Sequence, residues 1–290
     1  MKSDESIIVM MAVMLMAMPT TIVLADWDPG DPHKMHFPQL PDLETGLDVL
    51  AGPYATASGG IIEKFLADDF LCTKTGPITG IHIWTSYLND IRLDTTPLFN
   101  LAIYSNIPAD QSTTGFSTPG DLLWSSYRAA DAERLYANAT EEFYDPNSNQ
   151  IIGTDTEVWQ YNFDIDPSEA FIQKEGDIYW LGVHHSFDFN GNGSVDTGDL
   201  SHLTGSDSAF GWKTTRDHFE DDAVWTDVDS IGNTGTGAIV PPTGPWNELI
   251  DPRTGVSIDL AFVIVPEPAT AVVLALGGLL LTRRQERQQQ

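Results

Sequence analysis

The sequence is poor in cysteine and in basic residues. Cys72 is the only cysteine among 290 residues, so no disulfide can form within the chain, and its apolar neighbours Phe70 and Leu71 predict a buried thiol. The 14 lysines and arginines are far outnumbered by 42 aspartates and glutamates, which gives a formal net charge of −28. Because binding to phosphate requires a cationic face, this composition excludes nucleic acid as a partner.

The sequence also shows little helical periodicity. Between residues 26 and 265 apolar residues recur at every second position, as in Trp159, Tyr161, Phe163 and Ile165. The apolar runs are separated by clusters of glycine, proline, asparagine and aspartate, which are typical of turns. We therefore predict a single all-β domain over 26–265, an antiparallel β-sandwich with jelly-roll-like connectivity. Only 129–139 reads as a short helix.

No catalytic motif stands out, so we do not expect an enzyme. The neighbours His184 and His185 would point to opposite faces of a strand and could not chelate one metal together. An acidic group near His218 is expected to be a solvated charged turn, with cation binding as the alternative; it contains Glu220, Asp221 and Asp222. Because carboxylates are so numerous, the presence of a pair suited to glycoside hydrolysis is not evidence for a glycosidase.

Both ends of the chain have the pattern of targeting segments. An apolar run from 7 to 18 and small residues before Ala25 predict a signal peptide over 1–25. At the other end, Pro266, Glu267 and Pro268 precede an apolar run over 269–281, and Arg283 and Arg284 follow it.

The C-terminal pattern resembles the PEP-CTERM sorting signal of exopolysaccharide-producing Gram-negative bacteria. The resemblance covers 266–290 and implies processing by an exosortase-type peptidase after transient insertion in the inner membrane. An ordinary tail anchor is the alternative. We thus expect terminal hydrophobic helices on an exported protein that is delivered to the cell surface or extracellular matrix.

The stretch DFNGNGSVDTGDL (188–200) fits an EF-hand-type calcium loop inserted between strands. The expected ligands occupy loop positions 1, 3, 5, 7, 9 and 12, with glycine at position 6; they are Asp188, Asn190, Asn192, Ser194, Asp196 and Asp199. Aspartate at position 12 is similar to the dockerin version of the loop. Because no second copy is present, cohesin docking is not expected, and we predict a structural Ca²⁺ ion. A turn that binds nothing is the alternative.

Three tryptophans in polar surroundings are candidates for an exposed platform that stacks on sugar rings: Trp212, Trp225 and Trp246. The other tryptophans of the body lie in apolar strands and are expected in the core.

Several phrases across the body resemble an uncharacterised family of exported bacterial proteins that often carry the same sorting tail. They are DPHKMHFPQLPD (31–42), LADDFLCTKTGPITGIHIWTSYLND (66–90), IYWLGV (178–183), FGWKTTRDHFEDDAVW (210–225) and PWNELIDPRTGVSIDLAFVI (245–264). The resemblance implies a β-sandwich but no activity. We therefore expect a non-catalytic, calcium-stabilised surface or matrix protein that contacts polysaccharide. The alternatives are a polysaccharide-active glycosidase or lyase, and a calcium-dependent adhesion or assembly module.

Overall fold

The computed structural model describes residues 26–56, 60–189, 199, 202–203, 208–228 and 240–266. These residues form two large β-sheets and one small one. The first sheet has the order β12-β1-β8-β9-β5-β15 and contains β1 (Leu47–Leu50), β5 (Gly80–Tyr87), β8 (Ala132–Asp145), β9 (Gln150–Asp164), β12 (Phe210–Lys213) and β15 (Phe262–Val265).

The second sheet has the order β14-β13-β3-β11-β6-β7, and a further short strand, β2, pairs with β3. It contains β2 (Pro53–Ala55), β3 (Ile61–Leu71), β6 (Pro97–Ile107), β7 (Thr118–Ala129), β11 (Ile178–Phe187), β13 (Val224–Asp227) and β14 (Asn247–Glu248). The remaining elements are the pair β4 (Gly76–Pro77) and β10 (Ile172–Gln173) and a 3₁₀ turn at Leu88–Asp90.

The two large sheets pack face to face through aromatic side chains. Phe99 of β6 lies 5.0 Å from both Tyr161 and Phe163 of β9, measured between ring centroids, and Phe70 of β3 lies 5.9 Å from Phe262 of β15. Alternation along each strand places these side chains between the layers. The prediction of an all-β fold with antiparallel sheets is therefore confirmed; β1 and β8 are the one parallel pair among the described strands.

Strand β12 closes part of the first sheet on itself. It pairs with β1 through Asp48 and Lys213 and also with β5 through Gly211 and Ser86. Since β1 also pairs with β8, β8 with β9 and β9 with β5, these five strands form a closed circuit of hydrogen-bonded pairs. This closure directs polar side chains from several strands into one buried space.

The predicted helix over 129–139 is wrong, because this segment is the end of β7, a short turn and the start of β8. Strand β8 pairs with β9 along most of its length, and Tyr136, Ala137 and Ala139 pack against the core. Alanine-rich segments favour helices locally, but the long-range pairing and burial outweigh that weak preference.

The proline-rich segment 26–42 before β1 is attached to the sandwich by isolated bridges, and several of its side chains are buried. Met35 bridges to Cys72, and Gln39 bridges to Phe262. Trp27 packs edge-to-face on Trp84 at 5.9 Å between ring centroids. The segment therefore contributes to the core, and the predicted burial of the free Cys72 is confirmed.

Candidate metal centre

A cluster of carboxylates forms where the segment 217–222 runs beside the end of β3. Because β13 pairs with β3 with Val224 opposite Ala67, the preceding Asp222 comes close to Asp68 and Asp69. Asp259, which lies just before β15, approaches the same place from the first sheet. The tertiary fold thus gathers acids that are far apart in the sequence.

Three side chains of this cluster have the spacing of metal ligands. One ligand atom from each of His218, Asp222 and Asp259 lies within 4.8 Å of the others. The Nδ1 atom of His218 is 2.9 Å from Asp222 Oδ1 and 3.8 Å from Asp259 Oδ2. Since the side chain of His218 is 47% exposed and that of Asp259 is fully buried, the group is reached from solvent on one side only.

Asp68 and Asp259 form the buried floor of the cluster. Asp68 accepts hydrogen bonds from the Leu260 amide at 2.6 Å and from Gln39 Nε2 at 3.0 Å. Asp259 accepts one from the Phe219 amide at 2.8 Å. Burial, with Asp68 and Asp222 nearby, raises the pKa of Asp259 to about 11, and burial also raises the pKa of Asp68.

Asp69 follows Asp68 on β3 and points to the opposite face of the strand, where it is the least compensated of these carboxylates. It is 1% exposed, and neither of its oxygens has a hydrogen-bond partner within the described residues. Burial raises its pKa well above the ordinary value, and Asp68, Asp221 and Glu220 raise it further. A buried carboxylate without a partner costs several kcal/mol in general, so the surroundings of Asp69 favour a proton or a positively charged group.

Within the part of the chain that the structure describes, no lysine or arginine is among the strongest charged neighbours of these acids. For Asp68, Asp69 and Asp259, the largest contributions from charged neighbours all come from other carboxylates. The nearby Arg216 instead forms ion pairs with Asp42 at 2.9 Å and Glu44 at 2.8 Å. Carboxylate oxygens are the preferred ligands of hard divalent cations such as Ca²⁺, so the cluster fits such an ion.

The sequence indicated only the exposed part of this cluster. His218, Glu220, Asp221 and Asp222 were expected in a solvated turn with cation binding as the alternative, whereas the buried Asp68, Asp69 and Asp259 were missed. Their signal was an aspartate pair inside the apolar run FLADDFL and a lone aspartate in SIDLAF. Charged residues in such runs are rarely buried without a partner or a ligand.

The predicted calcium loop lies mostly outside the described residues, which include only its first and last ligands. Asp199 is buried, and its Oδ1 atom accepts a hydrogen bond from the Phe189 amide at 2.9 Å. Burial raises the pKa of Tyr127 to about 12, and the charges of Asp188 and Asp199 contribute to this rise. The two ends of the loop therefore approach the same tyrosine. Calcium binding by Asn190, Asn192, Ser194 and Asp196 stays a prediction.

The proposed tryptophan platform is wrong for two of its three members. Trp212 is fully buried, with Nε1 donating to the Ala261 carbonyl at 2.8 Å, and Trp246 is 6% exposed. Both are flanked by polar turns, but their rings face the core, where no sugar can stack. Trp225 is half-buried, and Lys64 Nζ lies 5.3 Å from its ring centroid.

A surface groove of about 790 Å³ opens beside the 3₁₀ turn, and its walls include Arg92, Asp131, Glu133 and Tyr161. Arg92 stacks on Trp159 at 4.0 Å and pairs with Glu133 at 2.7 Å. Asp131 pairs with an arginine of β7 at 2.7 Å. Two acids of the groove are thus already held by arginines, an arrangement that suits binding of polar groups better than proton transfer.

The two neighbouring histidines point to opposite faces of β11, as predicted. His184 Nε2 lies 3.2 Å from Glu63 Oε2 on the outer face, and His185 stacks on Phe210 at 4.5 Å between the sheets. They cannot share a metal.

A family model for a domain of unknown function, DUF7901, matches residues 35–265, a range that contains both sheets and every residue of the carboxylate cluster. The chain belongs to the DUF7901 family. No curated protein matches it. The DUF7901 match agrees with the expected uncharacterised family. The family model assigns no activity.

The predicted targeting segments fall almost entirely outside the described residues. Pro266 is the last residue described, and Glu267, Pro268, Arg283 and Arg284 lie beyond it. Within the described part of the chain, no helix has the length and apolar character needed to cross a membrane. The signal peptide and the sorting signal stay predictions.

Proposed function

We propose that this DUF7901 protein is a non-catalytic, exported protein of the cell surface or extracellular matrix that is stabilised by bound calcium. The observation that carries the proposal is the group of His218, Asp222 and Asp259, whose ligand atoms lie within 4.8 Å of one another beside the buried Asp68. A divalent cation would neutralise several of these charges at once and would accept their oxygens as ligands.

The chemistry of the cluster favours calcium over a transition metal. Its donors are dominated by carboxylate oxygens, and His218 is the one imidazole that approaches them within the described residues. Calcium tolerates irregular sets of six to eight oxygens, whereas zinc prefers compact sets rich in nitrogen and sulfur. The calcium loop predicted over 188–199 would add a second calcium site.

Export and sorting complete the proposal. The signal peptide over 1–25 and the PEP-CTERM-like tail over 266–290 would deliver the protein through exosortase processing, with transient insertion in the inner membrane. The placement of the sequence neighbours β7 and β8 in different sheets supports a jelly-roll-like connectivity. Exopolysaccharide is the proposed partner, and the groove beside Arg92 is the better candidate surface now that Trp212 and Trp246 are buried.

Thermal unfolding of the full chain in calcium and in chelator tests the proposal. At 100 times its dissociation constant, a ligand that binds only the folded state adds about 2.7 kcal/mol of stability. For a protein of this size that corresponds to a rise in Tm of roughly 5 to 10 °C. We expect Asp259→Asn to remove much of this rise, because it replaces one carboxylate of the group with a neutral amide.

Two further variants separate the sites. Asp188→Ala removes the first ligand of the predicted loop, and Asp121→Asn changes an exposed acid on β7 as a matched control. If Asp188→Ala alone abolished the calcium effect, the cluster would not be the site; equal Tm values in calcium and chelator for the wild type would refute both sites.

A further inference from the structure

A second group of buried acids surrounds a buried lysine inside the closed circuit of β1, β8, β9, β5 and β12. Asp48, Glu141 and Asp155 place carboxylate oxygens within 4.8 Å of one another, and all three are at most 3% exposed. Lys213 is fully buried among them; its Nζ atom is 3.0 Å from Asp48 Oδ2 and contacts Glu141 Oε2. Each acid comes from a different strand.

The lysine makes this group unlike the carboxylate cluster described above. An ammonium group already lies against Asp48 and Glu141, so a divalent cation would be repelled from the group. Packing around the group is tight, since a Cβ atom added at Gly211 would lie 2.7 Å from the ring of Phe143 and 2.9 Å from Asp48 Cβ. The group is therefore held in a dry and crowded space rather than in a pocket open to ligands.

The protonation states that burial favours are those needed for amide formation. Burial lowers the pKa of Lys213, while Asp48 opposes this effect, and burial raises the pKa of Asp155 to about 10, with Asp48 contributing. Asp155 is thus an acid that keeps its proton at neutral pH. Asp48 is placed to accept a proton from Lys213, because their side chains lie directly opposite each other on paired strands.

We propose that Lys213 forms an intramolecular isopeptide bond with the carboxyl group of Glu141. In the net reaction an ammonium and a carboxylate condense to an amide and one water, so no oxidant or cofactor is needed. Lys213 gives a proton to Asp48, and its free amine attacks the carboxyl carbon of Glu141. The new C–N bond replaces a C–O bond, and the oxygen leaves as water with one proton from the attacking nitrogen and one from Asp155, while Asp48 keeps the proton that it took from Lys213.

The fold holds the amine and the acid together and keeps water away, and neither condition is met in solution. Holding the amine against the acid makes the step unimolecular, and the exclusion of water opposes hydrolysis of the product. The bond would covalently join β8 of the first sheet to β12, which closes the circuit of strands. It would act in addition to calcium and does not depend on the calcium site.

Tryptic peptide mapping of the purified full chain by mass spectrometry tests the bond. Trypsin would not cleave after a linked Lys213, so we expect one branched product that joins the peptides 135–174 and 175–216. Its mass should be about 18 Da below the sum of the two peptides, which is the loss of one water. Recovery of an unlinked peptide 175–213 as the main product would overturn the proposal.

The same map distinguishes Glu141 from Asp48 as the acyl donor, because Asp48 lies in a different tryptic peptide, 35–64, and fragmentation of the branched product distinguishes Glu141 from Asp155, which share the peptide 135–174. A branch to 35–64 would overturn the assignment of Glu141 and give that role to Asp48. Lys213→Arg keeps the positive charge but should abolish the branch, and Asp155→Asn should strongly reduce it while leaving Lys213 and Glu141 in place. A branch that persisted in full in Asp155→Asn would contradict the proton-transfer role of Asp155.

Discussion

At the scale of single residues, the chain buries charged and polar side chains by two different means. Lys213 is surrounded by carboxylates, so its charge is compensated within the protein. Asp69 is buried beside other acids without such a partner among the described residues. The second arrangement requires protons or a bound cation to be stable at neutral pH.

A buried histidine gives the protein a defined response to acid. His185 stacks on Phe210 between the sheets, and burial lowers its pKa to about 3, with His184 contributing. The unfolded chain binds a proton at this residue below about pH 6.5 while the folded chain does not, so the free energy of unfolding falls as the pH decreases from there. The contribution of one such proton is at most about 1.4 kcal/mol for each pH unit.

We therefore expect His185→Phe to make the free energy of unfolding less dependent on pH between about 4 and 6. Denaturant unfolding of the wild type and the variant across this range measures the difference. The acids of the protein titrate in both forms and cancel in the comparison. Parallel pH curves for the two proteins would contradict the burial of a neutral histidine in the folded state.

At the scale of secondary-structure elements, the closed circuit depends on the close approach of β12 to its neighbours. Gly211 pairs with Ser86 of β5 and faces the ring of Phe143 on β8. A side chain at this position would have to displace an aromatic ring and the Cβ atom of Asp48. Glycine is required here by the lack of space and not by an unusual backbone conformation.

We expect Gly211→Ala to lower the free energy of unfolding by about 1 to 3 kcal/mol, the usual cost of overpacking a core. Gly60→Ala is a suitable control, because the nearest atom to a Cβ there is Thr56 Oγ1 at an ordinary 3.5 Å. Urea unfolding at constant pH measures both. A Gly211→Ala variant as stable as the control would show that β12 can move away from Phe143 at no cost.

The helix predicted over 129–139 is a further case in which secondary structure depends on pairing between strands. Its alanines and charged residues favour a helix locally, yet β7 and β8 pair with β6 and β9, and the local preference is overridden. The strand pattern of β9 was predicted correctly because the apolar side chains on one face of a strand recur at every second residue. Pairing partners and strand order involve residues far apart, and the period of the pattern carries no information about them.

At the scale of the whole molecule, the large negative charge and the groove beside Arg92 bear on the proposed partner. A formal net charge of −28 disfavours strongly anionic polymers unless cations bridge the two surfaces. The groove, with its arginine and acids, offers hydrogen-bonding groups for sugar hydroxyls.

We expect the full chain to bind exopolysaccharide more strongly in calcium than in chelator. Arg92→Ala should weaken the binding by roughly tenfold, which corresponds to about 1.4 kcal/mol for one lost contact. A glycan-binding screen with both proteins measures this, and Asp121→Asn on β7 again serves as the control. Failure of the wild type to bind any glycan in either condition would exclude the polysaccharide partner and leave the calcium site unaffected.

The amino-acid sequence alone determined the all-β class, the buried free cysteine and the opposed histidines, because each of these follows from composition or from the two-residue period. The tertiary structure alone decided which acids meet. Asp259 joins His218 and Asp222 beside Asp68, and Lys213 joins Asp48 and Glu141, only because strands distant in the sequence lie side by side. The tertiary structure also placed Trp212 and Trp246 in the core, since burial depends on what packs over a residue and not on its neighbours in the chain.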